Sequence, residues 1–169
     1  DCDCGTTITF DASTNGTPIV LSSNLQSIAA DITITGNGET ATIIDGNNTN
    51  GLLRYPTSNV TSTISDLTLQ RGSFSQGGGL QVAHSNITVT LTNVTIDDCS
   101  ASTQGGGIYM SSSTNSTVTL NHCNLTGNTA PNGGAISNRS NSGGGMEVFD
   151  CNFSSNIATT SGGAVYTNG

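Results

Sequence analysis

Asp97 and Asp98, followed by His122 one repeat later, are the side chains best suited by type to acid–base chemistry. A glycosidase needs two carboxylates about 5 to 10 Å apart. A calcium-dependent lyase needs a cationic base beside a carboxylate cluster. Consecutive residues of a strand face opposite sides, the chain has no Lys, and no Arg stands near enough in sequence to complete either set. The pair therefore reads as a solvated turn, and no catalytic residue is assigned. No metal or cofactor is assigned either. Cys2 and Cys4 supply two sulfurs where a tetrahedral zinc site needs four ligands, and no Asp follows the glycines as in calcium-binding nonapeptides.

Cysteines and sequons are the other chemical groups. Five cysteines in a secreted chain imply at least one disulfide and one thiol left over. Cys123 and Cys151 are one repeat apart, which places them within bonding range or leaves them as free buried thiols. Cys2 and Cys4 could link to Cys99 or to another chain. Nine positions match the N-glycosylation sequon: Asn15, Asn47, Asn59, Asn86, Asn93, Asn115, Asn124, Asn138 and Asn152. The pattern predicts an extracellular chain with Asn124 and Asn152 facing outward.

Composition narrows the partners. The net charge is −8, and the three cations Arg54, Arg71 and Arg139 are scattered. Nucleic acid and anionic membranes are recognised by clustered Lys and Arg, so neither is expected. No apolar run reaches the about 18 residues of a membrane span. Only 8% of residues are charged and 4% aromatic, a balance that alone would permit disorder. Tight alternations such as Ile32-Thr33-Ile34, Leu67-Thr68-Leu69 and Val94-Thr95-Ile96 oppose disorder, because alternation marks strands.

A repeat must position these groups. Gly-rich units start at Gly77, Gly105, Gly133 and Gly162, spaced by 28, 28 and 29 residues. A second series, Ile64 to Leu69, Leu91 to Ile96, Leu120 to Leu125 and Val148 to Phe153, keeps the same step. Two markers sharing one period predict an all-β parallel β-helix, a solenoid with coils of about 28 residues. Residues 1–169 read as one domain, with a less regular cap-like region over 1–60 and regular repeats over 61–169. Ile8, Phe10, Ile19, Leu21, Leu25, Ile28 and Ile43 are expected to build the cap.

The register predicts one inward column of Ile32, Leu67, Val94, Cys123 and Cys151 and another of Ile34, Leu69, Ile96, Leu125 and Phe153. Asp31, Asp66, Asn93, His122 and Asp150 fall at a corner, where side-chain hydrogen bonding is expected. Asn128 and Asn156 read as an internal amide ladder. Thr61-x-Thr63, Thr88-x-Thr90 and Thr117-x-Thr119 form an outward array followed by Glu147, and threonine is favoured on any exposed strand.

The units at Gly133 to Ile136 and Gly162 to Val165, with Phe153-Ser-Ser-Asn156 and Leu125-Thr-Gly-Asn128, resemble the GGA[ILV]/FxxN repeats of chlamydial polymorphic outer-membrane protein passengers. Thr7 to Phe10, Ile43-Ile44-Asp45-Gly46 and Gly105 to Tyr109 are similar to a broader group of secreted bacterial right-handed β-helix proteins. The resemblance covers about residues 6–169 and implies a right-handed coil, exposed at a cell surface and often adhesive. Ile96-Asp-Asp-Cys99 and Leu69-Gln-Arg-Gly72 depart from the pattern by lacking the final Asn.

The expected function is non-enzymatic, structural or adhesive, with a carbohydrate or cell-surface ligand. The last residues stop in mid-coil without a polar cap, which predicts end-to-end self-association into a fibril. The alternatives are a polysaccharide-active lyase or hydrolase and an ice-binding protein using the Thr array.

Overall fold

Alternation of apolar and hydroxyl side chains drives about half of the chain into strands. The computed structural model describes residues 5–111, 114–140 and 143–168, and Cys2 and Cys4 lie outside the described residues. One short 3-10 turn, Ala12–Thr14, is the helical exception among them.

The strands stack into three parallel sheets. The largest follows Thr6–Thr9, Ile32–Thr35, Val60–Gln70, Ile87–Asp97, Thr117–Asn121 and Gly145–Phe149. Past a corner it continues through Ile19–Val20, Ile43–Asp45, Asn124–Thr126 and Asn152–Ser154. A second sheet holds Ser73–Gln76, Ser100–Gln104, Thr129–Asn132 and Ile157–Ser161. The third holds Leu53–Tyr55, Leu80–Val82, Ile108–Met110, Ile136–Asn138 and Val165–Thr167. All pairings are parallel, so each coil lies on the one before it: a parallel β-solenoid. Ile8, Ile34, Ile64, Leu91, Leu120 and Val148 stand in register, at steps of 26, 30, 27, 29 and 28 residues.

Inward side chains form one continuous core. Leu67, Val94 and Cys123 stack in one column and Leu69, Ile96 and Leu125 in the next, each buried, with Cys151 and Phe153 half-buried against them. The regular coils thus match the predicted register.

The N-terminal coils correct it. Ile32 and Ile34 pair with Ser62 and Ile64, not with Leu67 and Leu69. The residues that reach those columns are Thr42, whose carbonyl accepts from Thr68, and Ile44, which pairs with Leu69. Between them Gly36 to Thr42 leave the ladder in a turn closed by Gly38 carbonyl bonds to the Ala41 and Thr42 amides. The 35-residue step from Ile32 to Leu67 is one 30-residue coil, from Ile32 to Ser62 and including the excursion, plus five residues along the strand Val60–Gln70. The first coil is also less of a cap than expected. Thr6–Thr9 and Ile19–Val20 join the large sheet as ordinary rungs, while Phe10, Leu21, Leu25 and Ile28 pack half-buried on the core.

Each regular coil turns four corners in the left-handed backbone region, and these residues stack too. Asp66, Asn93, His122 and Asp150 have φ of 50 to 59°. Arg71, Asp98, Gly127 and Ser155 form a second column, and Asn59, Asn86, Asn115 and Gly143 a third. Gly77, Gly105, Gly133 and Gly162 form the fourth. Asn, Asp and Gly dominate because short polar side chains or none tolerate positive φ. At Gly77 and Gly133 an added Cβ would also collide with the carbonyl of Leu80 or Ile136. Asp31 is not part of the first column. It lies level with Thr61, whose amide donates to its carboxylate at 2.6 Å.

Candidate functional site

The acid–base candidates are not brought together. Asp97 stands in the outward column of Asp45, Gln70 and Thr126. His122 sits at the corner with Asn93, at the other end of the inward-packed segment Val94 to Ile96. Its imidazole faces Asp150 at 3.5 Å, with both side chains mostly in water, an arrangement of little energetic weight. Burial, reinforced by the neighbouring Asp98 charge, pushes the Asp97 carboxyl above its ordinary range.

A buried charge that sequence reading missed lies one corner away. Asp45 is fully buried and accepts from Arg71 Nε at 3.0 Å, from Gln70 Nε2 at 2.7 Å and from the Asn47 amide at 2.8 Å. Arg71 Nη2 also contacts it. Burial pushes Asp45 up, and the bonds from Arg71, Gln70 and Asn47 together outweigh it and hold the carboxyl below the usual range. The network pins the Gly46 to Asn50 loop to the next coil, as befits a buried charge met by several donors. Asp45 is part of the Ile-Ile-Asp-Gly signature, but nothing in the sequence pairs it with an arginine 26 residues later.

The predicted amide ladder is present and longer than two rungs. Asn156 Oδ1 accepts from the Asn128 amide at 3.0 Å while its Nδ2 donates to the Leu125 carbonyl at 2.8 Å. Asn128 repeats this one coil earlier, accepting from the Cys99 amide at 3.0 Å and donating to the Ile96 carbonyl at 2.9 Å. Cys99 then takes the same role with sulfur: its Sγ accepts from the Gly72 amide at 3.3 Å and lies 3.9 Å from the Leu69 carbonyl. Cys151 at the other corner accepts from the Cys123 amide at 3.3 Å, and its Sγ lies 3.2 Å from the Phe149 carbonyl and 3.6 Å from that of Leu120.

All three described cysteines are free thiols, so the disulfide expected from the cysteine count does not form among them. Cys123 and Cys151 do stack one coil apart, but each thiol is engaged with backbone. Burial pushes Cys99 and Cys123 up to about 12, which keeps both protonated and able to donate.

The fold also accounts for four of the nine sequons. Asn59, Asn86, Asn93 and Asn115 are left-handed corner residues. Each is followed by an inward residue, Val60, Ile87, Val94 or Ser116, all buried. An outward threonine comes next. Corner Asn, inward residue, outward Thr spells Asn-x-Thr without reference to sugar. Asn124 and Asn152 face outward as predicted. Asn152 is exposed, whereas the Asn124 amide lies 3.4 Å from Glu39, whose loop crosses this column and also bonds Thr95 and Thr68. Asn15 and Asn47 are exposed on loops. Asn138 is level with buried Met110 and Val82, holds the Ser140 amide at 2.9 Å and, like Asn124, is half-buried.

The Thr array extends further than the three repeats visible in sequence. In the large sheet Thr7, Thr33, Thr63, Thr90 and Thr119 stand in direct register over five coils, with Glu147 on the sixth. Thr9, Thr35, Ser65, Thr92 and Asn121 flank it on one side, and Thr61, Thr88 and Thr117 on the other. The outward face of the third sheet contrasts with this: Gln81, Tyr109 and Ser137 are buried, and Arg54 lies 4.2 Å from the Phe74 ring of the second sheet. There the second and third sheets close on one another. The chain matches no protein-family model, no curated protein and no solved structure.

Proposed function

We propose that the chain is an extracellular, non-enzymatic structural or adhesive solenoid that meets its partner through the outward face of its large sheet. The observation that carries this reading is the in-register hydroxyl face over five coils, broad and regular, while the acid–base candidates lie on separate corners. The resemblance to bacterial surface β-helix passengers supports it, as does a composition poor in the charges that nucleic acid or anionic membranes require.

End-to-end stacking into a fibril belongs to the same proposal. Ile8, Ile19 and Val20 at one end and Val148, Phe149, Ile157 and Val165 at the other are 36 to 58% exposed. A further coil laid on either end, from another copy or from more chain, would cover them and pair the open sheet edges. The test combines sedimentation and electron microscopy over a wide concentration range with binding to intact cells and a polysaccharide panel. Filaments or retention on one surface, without release of reducing or unsaturated sugar, is the expected result. Catalytic turnover of any polysaccharide in the panel overturns the reading.

A further inference from the structure

We propose that the hydroxyl face of the large sheet binds the surface of ice. The inference rests on the scaffold reading above and names the occupant of that face. The central column presents one threonine per coil from Thr7 to Thr119, and a second column of Thr9, Thr35, Ser65 and Thr92 runs beside it two residues along each strand. Stacked strands repeat at about 4.8 Å, and residues i and i+2 of a strand are about 6.6 Å apart. The face is therefore a nearly rectangular grid of hydroxyl and methyl groups, close in both directions to the oxygen rows of hexagonal ice.

Three features select a crystal of water over a soluble ligand. From Thr7 to Thr90 the face runs unbroken, and the open hollow lined by Thr117, Gly143 to Gly145, Met146 and Glu147 lies at its far margin. Across these two columns no charged side chain interrupts it for five coils; Asp31 and Glu147 stand only at its margins. A charge there would hold its own hydration shell against the lattice. The hydroxyls are also uncommitted. Thr7, Thr33, Thr63 and Thr90 bond no described protein group, whereas Thr119 donates to Glu147 at 3.2 Å, and Thr68 and Thr95 outside the face are tied to Glu39.

Rigidity completes the argument. β-Branched side chains have restricted χ1 on a strand, and the ladder beneath them is anchored by Ile64, Leu91 and Leu120, which are fully buried. A preorganised grid loses little freedom on binding. Many weak contacts made together can then hold a crystal surface that no single hydroxyl could hold.

The experiment measures thermal hysteresis, ice-crystal shape and inhibition of recrystallisation for the whole chain, in parallel with the polysaccharide and cell-binding panel. The wild type is expected to shape ice and slow recrystallisation. T63K/T90K places two ammonium groups at the centre of the grid and is expected to lose both effects while unfolding cooperatively like the parent. S102K, an exposed change on the second sheet, is expected to keep them. If the double variant fails to fold, T119K beside Glu147 makes the same test. Wild-type protein that leaves ice growth unaltered at every concentration overturns the inference, as does full activity of the folded Lys variants. Cell or polysaccharide binding that is lost in T63K/T90K while ice is unaffected by any form defeats the inference and leaves the scaffold reading standing. Turnover of a polysaccharide defeats the scaffold reading alone.

Discussion

From Val60 to Ile136 the large inward side chains are all but removed from water, Ile64, Leu91 and Leu120 among them. In the first coil Ile8 and Ile19 remain 39% and 36% exposed, and an apolar hollow of about 290 Å³ opens beside Ile8, Leu25, Ile28, Ile34 and Leu53. The strand chemistry of the two regions is the same. What differs is what lies beyond each coil: the interior coils are stacked on both sides, whereas the first has a neighbour on one side only and rungs only in the large sheet. A solenoid rung is stable to the extent that its neighbours complete its walls, and the first coil is only partly walled.

Core truncation should show the largest contrast. Leu125→Ala removes a fully buried side chain stacked between Ile96 and Phe153 and is expected to cost about 2 to 5 kcal/mol. Ile8→Ala, at a site still open to water, should cost under about 1.5 kcal/mol. Chemical denaturation of both variants measures the gap; equal losses would show that the first coil is walled as fully as the fifth.

The Asp45 network marks the border between the two regions, and its loss ranks next. Arg71→Ala leaves a buried carboxylate with only Gln70 and the Asn47 amide and is expected to lower stability, by less than loss of a fully buried partner would, since Arg71 is itself part-exposed. The pH dependence follows from the direction of the shift. Asp45 has a depressed folded value, so its contribution is fully present above the unfolded carboxyl value of about 4 and is lost as pH falls through the folded value. Acid titration of stability should therefore be shallower in Arg71→Ala than in the parent. Parallel titration curves would remove the arginine from this role.

Much of this was legible in the sequence, and the places where it was not have separate physical causes. Leu67, Val94 and Cys123, and Leu69, Ile96 and Leu125, could be aligned because two markers shared one period. Ile32 and Ile34 were misaligned because a loop excursion adds residues without adding a rung, and Gly36 and Gly38 look like any other corner glycine. The array seen at Thr61, Thr88 and Thr117 was too short for the same reason: Thr7 and Thr33 join it only once the excursion is removed. The burial of Gln81, Tyr109 and Ser137 was not legible, since alternation tells which side of a strand faces out and not whether another sheet lies there. Asn128 and Asn156 announced a ladder, but cysteine doing the work of asparagine at Cys99 carries no sequence signal.

That substitution gives a prediction of intermediate size. Cys99→Asn would replace two long sulfur contacts, at 3.3 and 3.9 Å, with amide bonds of the kind Asn128 makes one coil later. The expected gain is about 1 kcal/mol. Cys99→Val keeps the apolar bulk, strands the Gly72 amide and should cost about 1 to 3 kcal/mol. Thermal unfolding of the pair decides the matter: if Asn is no better than Val, the ladder ends at Asn128 and Cys99 is only core. Wild-type Cys99 should also resist alkylation until the protein unfolds, because burial holds its thiol at about 12 and only the thiolate is nucleophilic.

The smallest effect is chemical and reports local opening coil by coil. Asn-Gly sequences lose ammonia when the glycine nitrogen attacks the asparagine side-chain carbonyl to form a succinimide, and a nitrogen whose hydrogen is held in a bond is poorly placed to do so. Among the described pairs, Asn15-Gly16, Asn37-Gly38, Asn50-Gly51 and Asn132-Gly133 are protected this way: Gly16 donates to the Ala41 carbonyl at 2.8 Å, Gly38 to Asp66 at 2.9 Å, Gly51 to Asn24 Oδ1 at 2.7 Å and Gly133 to Ser161 at 2.9 Å. Deamidation of the native protein then requires each bond to open first, and opening is easiest where few buried contacts resist it. Asn15 sits beside the exposed first coil, whereas Asn132 leads into the corner before fully buried Ala135 and nearly buried Ile136. Peptide mapping after long incubation at mildly alkaline pH should find Asn15 converted before Asn132, with the difference erased in denaturant. Equal native rates, or Asn132 leading, would mean that the first coil is held as firmly as the regular ones and that its open wall has no dynamic consequence.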